Sequence, residues 1–103
     1  MTDSQTVGKT TEIAPGTMKL FDFDGEKVVV ANVEGAFCAF NNVCSHAGGP
    51  LSEGELVGDT VTCPWHSTIF NVRTGEVLEG VTDDPVPIYE VRIEGDDIKL
   101  RKP

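Results

Sequence analysis

Several things are scarce in this chain of 103 residues, and each scarcity removes a class of function. It has two histidines and three cysteines, an odd cysteine number that argues against a disulfide framework and favours metal ligation or thiol chemistry. Basic side chains number 8 against 17 acidic ones, and the resulting net charge of −9 would repel the phosphate backbone of a nucleic acid. No apolar run approaches the roughly 20 residues needed to cross a bilayer as a helix. No window of 11 or more residues carries a helical period, and Pro50, Pro64, Pro85 and Pro87 would interrupt helices where they fall. Residues 1–11 show neither the basic start nor the apolar stretch of a secretory signal, so they read as a frayed tail and the protein as cytoplasmic.

What is present suits one folded domain over residues 12–103. Hydrophobic residues make up 39% and charged residues 24%, an ordinary globular balance, and the length leaves no room for a second core of normal size. Short β-type runs alternate with Gly beside Asp or Glu, the punctuation of antiparallel hairpins. Asp24-Gly25, Glu34-Gly35, Gly58-Asp59 and Gly95-Asp96 are the expected turns. Strands are expected over 18–23, 27–33, 36–40, 60–63, 69–72, 88–94 and 98–101. In 88–94 the alternation would turn Tyr89, Val91 and Ile93 to the core and the charged residues to water. The expected class is all-β and antiparallel.

The chemistry is concentrated in two short segments. Cys44-Ser45-His46 is followed, after 16 residues, by Cys63-Pro64-Trp65-His66, which together take both histidines and two of the three cysteines. A Cys₂His₂ set suits a structural zinc. Familiar zinc sites, however, pair Cys with Cys and His with His over short hops, whereas each segment here pairs one thiolate with one imidazole. A binuclear cluster with two cysteines on one iron and two histidines on the other uses that mixed arrangement. The spacing therefore argues for the cluster over zinc.

The pattern C-x-H, 16 residues, C-P-x-H, then Phe70 and Thr74-Gly75, resembles the Rieske [2Fe–2S] domain over roughly residues 12–102. The resemblance implies a small antiparallel β-sandwich with a cluster-binding subdomain made of two loops. It implies one [2Fe–2S] cluster held by Cys44, His46, Cys63 and His66, with the segment 85–87 covering a third side. The relatives with a tie between the loops carry two further cysteines, for which this chain has Gly49 and Trp65. Without that disulfide, a membrane anchor or a mononuclear-iron domain, the chain looks most like the free-standing ferredoxin of bacterial aromatic-ring-hydroxylating dioxygenase systems. That reading implies an electron carrier and not an enzyme, a flavin- and NADH-dependent reductase and a terminal Rieske oxygenase as partners, and a monomer. The alternatives are the small Rieske-like subunit of an assimilatory nitrite reductase and a zinc-stabilised interaction domain.

Four further residues have readings of their own. Cys38 shares a strand face with Phe40 and is expected to be a small buried core residue. His46 and His66, each with a second ring nitrogen turned outward, would form the face through which electrons pass, and Trp65 would lie beside it as a shield or a docking residue. Gly48-Gly49-Pro50 would let backbone amides approach cluster sulfur. Thr68 and Phe70 stand where high-potential relatives carry serine and tyrosine, and phenyl cannot donate a hydrogen bond. No residue offers itself as a general acid, base or nucleophile once both histidines are committed to iron.

Overall fold

A computed structural model of the chain describes residues 4–23, 25–42, 50–64, 68–80 and 85–101. Among these residues ten strands follow in order: β1 Gln5–Lys9, β2 Met18–Phe23, β3 Glu26–Val33, β4 Ala36–Asn41, β5 Glu55–Val57, β6 Thr60–Thr62, β7 Ile69–Asn71, β8 Val77–Glu79, β9 Ile88–Glu94 and β10 Asp97–Arg101. Two single 3-10 turns, Thr10–Glu12 and Leu51–Glu53, complete the regular structure of the described residues. All pairings are antiparallel, in a six-stranded sheet β1-β10-β9-β4-β3-β2 and a four-stranded sheet β5-β6-β7-β8. The expected all-β class and every expected strand are there, with ends shifted by a residue at most.

β3 explains how the molecule is layered. Val28 and Val30 point into one core, with Ile13, Phe23, Ala39, Tyr89, Ile98 and Leu100. Val29, Ala31 and Val33 point into the other, with Phe40, Leu51, Val61, Cys63, Phe70, Val72 and Val86. Both faces of β3 are therefore covered, and the strand reads as an unbroken apolar run instead of an alternation. The first core fills the inside of the curled six-stranded sheet, whose edges β1 and β2 meet so closely that a Cβ on Gly8 would lie 2.7 Å from the Phe21 ring. Curling brings two edges together that would otherwise be open to pairing. The second core glues the four-stranded sheet onto the outside of β3 and β4.

Two sequence expectations are corrected here. Gln5–Lys9 is no frayed tail: it pairs with β10, from Gln5 opposite Leu100 to Lys9 opposite Asp97. Val7 packs on the first core and Lys9 forms an ion pair with Asp97. Ile93, opposite the buried Ile98, stays 40% exposed, so the inward face of β9 is covered at Tyr89 and open at its far end. Tyr89 itself is buried; its hydroxyl donates to Glu26 Oε1 at 2.6 Å and accepts from Asn41 Nδ2 at 3.1 Å. The expected turns at Gly25, Glu34-Gly35, Gly58 and Gly95 join neighbouring strands, with both Glu34 (φ 52°) and Gly35 (φ 94°) left-handed, as a two-residue hairpin requires.

Candidate metal centre

Of the four expected ligands only Cys63 falls among the described residues; Cys44 and His46 (within 43–49) and His66 (within 65–67) lie outside them, as do Trp65, Gly48 and Gly49. The structure does show how the chain is held on either side of each of these segments.

The first segment is closed at its neck by Asn42. The Leu51 amide donates to the Asn42 carbonyl at 2.7 Å, and the Ser52 amide donates to Asn42 Oδ1 at 2.8 Å. Asn42 is itself tied back to β3, its amide donating to the Lys27 carbonyl at 2.9 Å. The second segment is closed by the Cys63 amide, which donates to the Thr68 carbonyl at 2.8 Å. A third contact belongs to the proline segment: the Val86 amide donates to Gly75 at 2.9 Å, and Pro87 accepts from the Asn41 amide at 2.9 Å. Leu51, Cys63 and Val86, one residue from each segment's neck, are all buried in the same core. The residues that flank both candidate segments and the proline segment are therefore anchored in one core.

Cys63 is 1% exposed, while the following Pro64 is at the surface. An open depression of about 470 Å³ beside them is lined by Glu53, Gly54, Glu55, Thr62, Cys63 and Pro64. Thr68 is fully buried, and its Oγ1 has no hydrogen-bond partner among the described residues. A buried hydroxyl without a partner costs about 1–3 kcal/mol, so such a group calls for an acceptor. Gly80 passes close to that side chain: a Cβ there would lie 2.7 Å from Thr68 Oγ1. An acceptor with room for a weak, long hydrogen bond, such as the sulfur of an iron–sulfur group bound through Cys63, fits this orphaned donor.

Phe70 is buried in the second core between its register partners Val61 and Val77, as an apolar packing residue. Cys38 lies on the same side as Phe40, as expected, but is only half-buried. Burial pushes its thiol up, opposed by the Arg73 guanidinium and reinforced by Asp59. Asn42 and Gly80 were not singled out by sequence reasoning. The only local signal was the paired Asn41-Asn42 directly before the first ligand segment, since Asn readily bonds nearby backbone amides.

A family model for the Rieske [2Fe–2S] domain matches residues 3–90. The biphenyl 2,3-dioxygenase ferredoxin component of Rhodococcus jostii (strain RHA1) is 41% identical over 87 residues, 84% of this chain and 81% of that one. The cytochrome b6-f complex iron-sulfur subunit of Chlorobaculum thiosulfatiphilum is 37% identical over 100 residues, which are 97% of this chain but 54% of that one. Among solved structures, the ferredoxin of carbazole 1,9a-dioxygenase from Nocardioides aromaticivorans IC177 superimposes with a TM-score of 0.90 at 30% identity, covering 99% of this chain and all of that one.

Proposed function

Because the chain belongs to the Rieske [2Fe–2S] domain family, we propose that Cys44, His46, Cys63 and His66 hold its one [2Fe–2S] cluster and that it feeds single electrons to the terminal oxygenase of an aromatic-ring-hydroxylating dioxygenase. The observation that carries the cluster site is the buried Thr68 hydroxyl, without a partner among the described residues, on a segment closed by Cys63 itself. Bound there, the cluster supplies a one-electron couple; with two thiolates and two neutral imidazoles it is neutral when oxidised and carries −1 when reduced. Cys63 would hold it from the dry side. Thr68 would donate to sulfur and so favour the reduced, more negative form.

The protein is an electron carrier rather than an enzyme, as its ferredoxin relatives are. A ferredoxin in complex with an oxygenase is seen for carbazole 1,9a-dioxygenase, in a structure that matches this chain with a TM-score of 0.91 at 28% identity. That likeness supports an oxygenase as the electron acceptor. A flavin- and NADH-dependent reductase is the donor this reading requires. No helix among the described residues is long and apolar enough to cross a membrane, and a cytoplasmic monomer meeting its two partners in turn is the simplest form of such a shuttle.

His66→Ala should lose iron and sulfide together with the visible and electron paramagnetic resonance signals of the native protein. Full iron and sulfide content with an unchanged spectrum would refute the ligand set, and a colourless protein with one zinc would refute the cluster. The midpoint potential should lie near the lower end of the Rieske range, about −150 mV. A value above about +100 mV would instead favour a quinol-oxidising role.

A further inference from the structure

We infer that Asn42 is a positioning residue that fixes the two ligand loops relative to each other by capping the 3-10 turn Leu51–Glu53. The inference rests on the ligand set proposed above. Helix starts leave backbone N–H groups without partners, usually satisfied by a side-chain oxygen at the N-cap. The N-cap here is Pro50, which has no such oxygen and makes no capping bond. Asn42 does the work from nine positions upstream, its carbonyl taking the Leu51 amide at 2.7 Å and its side-chain Oδ1 the Ser52 amide at 2.8 Å.

Three features make this more than an ordinary cap. The stretch it closes, 43–50, carries Cys44 and His46. Asn42 continues directly from β4, and its amide is bonded to Lys27 of β3, so one end of the clasp is fixed to the strand that is covered on both faces. The other end, Leu51, is fully buried in the core that also contains Cys63. A single asparagine thus ties the entrance and the exit of the first loop to each other, and through Leu51 to the core that holds Cys63. A side chain without an acceptor at position 42 leaves the Ser52 amide unsatisfied and lets the exit of the loop move relative to Cys63.

The test compares Asn42→Leu, which keeps the branched shape and removes the acceptor, with Asn42→Asp, which keeps an acceptor oxygen. Purified native protein and variants are challenged with an iron chelator and the visible absorbance is followed with time. Asn42→Leu should lose its cluster about fivefold faster than native, the equivalent of one hydrogen bond of about 1 kcal/mol. Its reduced resonance spectrum should broaden, because the ligand geometry is less uniform. Asn42→Asp should stay within about twofold of native on the same scale. Equal loss rates for Asn42→Leu and native, or a loss for Asn42→Asp as fast as for Asn42→Leu, would overturn the inference. If Asn42→Leu does not accumulate with iron, Asn42→Asp decides alone: loss more than about fivefold faster than native overturns it. Native protein without a visible cluster would instead be a failure of the ligand reading, a distinguishable result.

Discussion

Replacing Gly75 with alanine probes the join between the four-stranded sheet and the proline segment. Gly75 has φ 81°, a conformation that costs an L-residue about 1–2 kcal/mol. A Cβ there would also lie 2.3 Å from the Val86 carbonyl oxygen and 3.1 Å from Ile88 Cγ2. The backbone oxygen cannot swing aside as a side chain could, so the proline segment must shift. That shift sacrifices the Val86 amide bond to Gly75, about 1 kcal/mol, and loosens Val86 in the core. The sum is about 2–4 kcal/mol, or a drop of roughly 10–25 °C in melting temperature for a chain of this size. Gly16 supplies the control: its φ is also 81°, but nothing lies within 4 Å of a Cβ built on it. Gly16→Ala should therefore show the conformational cost alone, near 1 kcal/mol and about 5 °C. Thermal unfolding of both variants by far-ultraviolet circular dichroism in one buffer makes the comparison. Equal melting temperatures for Gly75→Ala and Gly16→Ala would refute the claim that close approach, rather than backbone conformation, requires glycine at position 75.

Two further outcomes follow from the same structure. Thr68→Val removes the buried hydroxyl that has no partner among the described residues and keeps the branched shape, so the midpoint potential in film voltammetry should fall by about 40 mV, the one-electron equivalent of about 1 kcal/mol. An unchanged potential would mean that Thr68 does not donate to the cluster. Cys38→Ser should keep the full visible spectrum. Because burial raises the Cys38 thiol, its contribution to stability is complete below the ordinary thiol value of 9.0 and is lost as pH rises through the raised one, so the variant should flatten the alkaline limb of a stability-against-pH profile.

The strands that sequence alone revealed are those with a core on one side or on both. Alternation marked β9, and the unbroken valines marked β3, because burial leaves a residue-type signature at every position it affects. β1, β5 and β8 left almost none. β5 and β8 are three-residue edges, Glu-Leu-Val and Val-Leu-Glu, and β1 becomes a strand only by pairing with β10, at the other end of the chain. A local window cannot contain that partner. Alternation also cannot say where a core ends, which is why Ile93 looks buried and is not. The proposed ligand pattern can be read from sequence because it is covalently local, two residues within each short segment. The clasp at Asn42 cannot be, since its bonds to Leu51 and Ser52 depend on a loop conformation that composition does not encode.

The balance that sets the electron affinity of the proposed site can be argued from its floor. Cys63, Thr68, Phe70 and Leu51 are all buried, so the inner side of the site is dry and of low dielectric. Such surroundings disfavour added negative charge, and with the proposed ligands reduction takes the cluster from neutral to −1. Against that stands one described side-chain donor, the Thr68 hydroxyl; Phe70, packed between Val61 and Val77, has no hydroxyl to give. One such bond recovers about 40 mV of a family span of roughly 450 mV. The net charge of −9 also opposes reduction, but charges at the surface are screened by water and salt within about 10 Å and cannot dominate. The dry floor opposes the added electron and the described residues set one side-chain donor against it, a combination that favours a potential low in the family range for the proposed cluster.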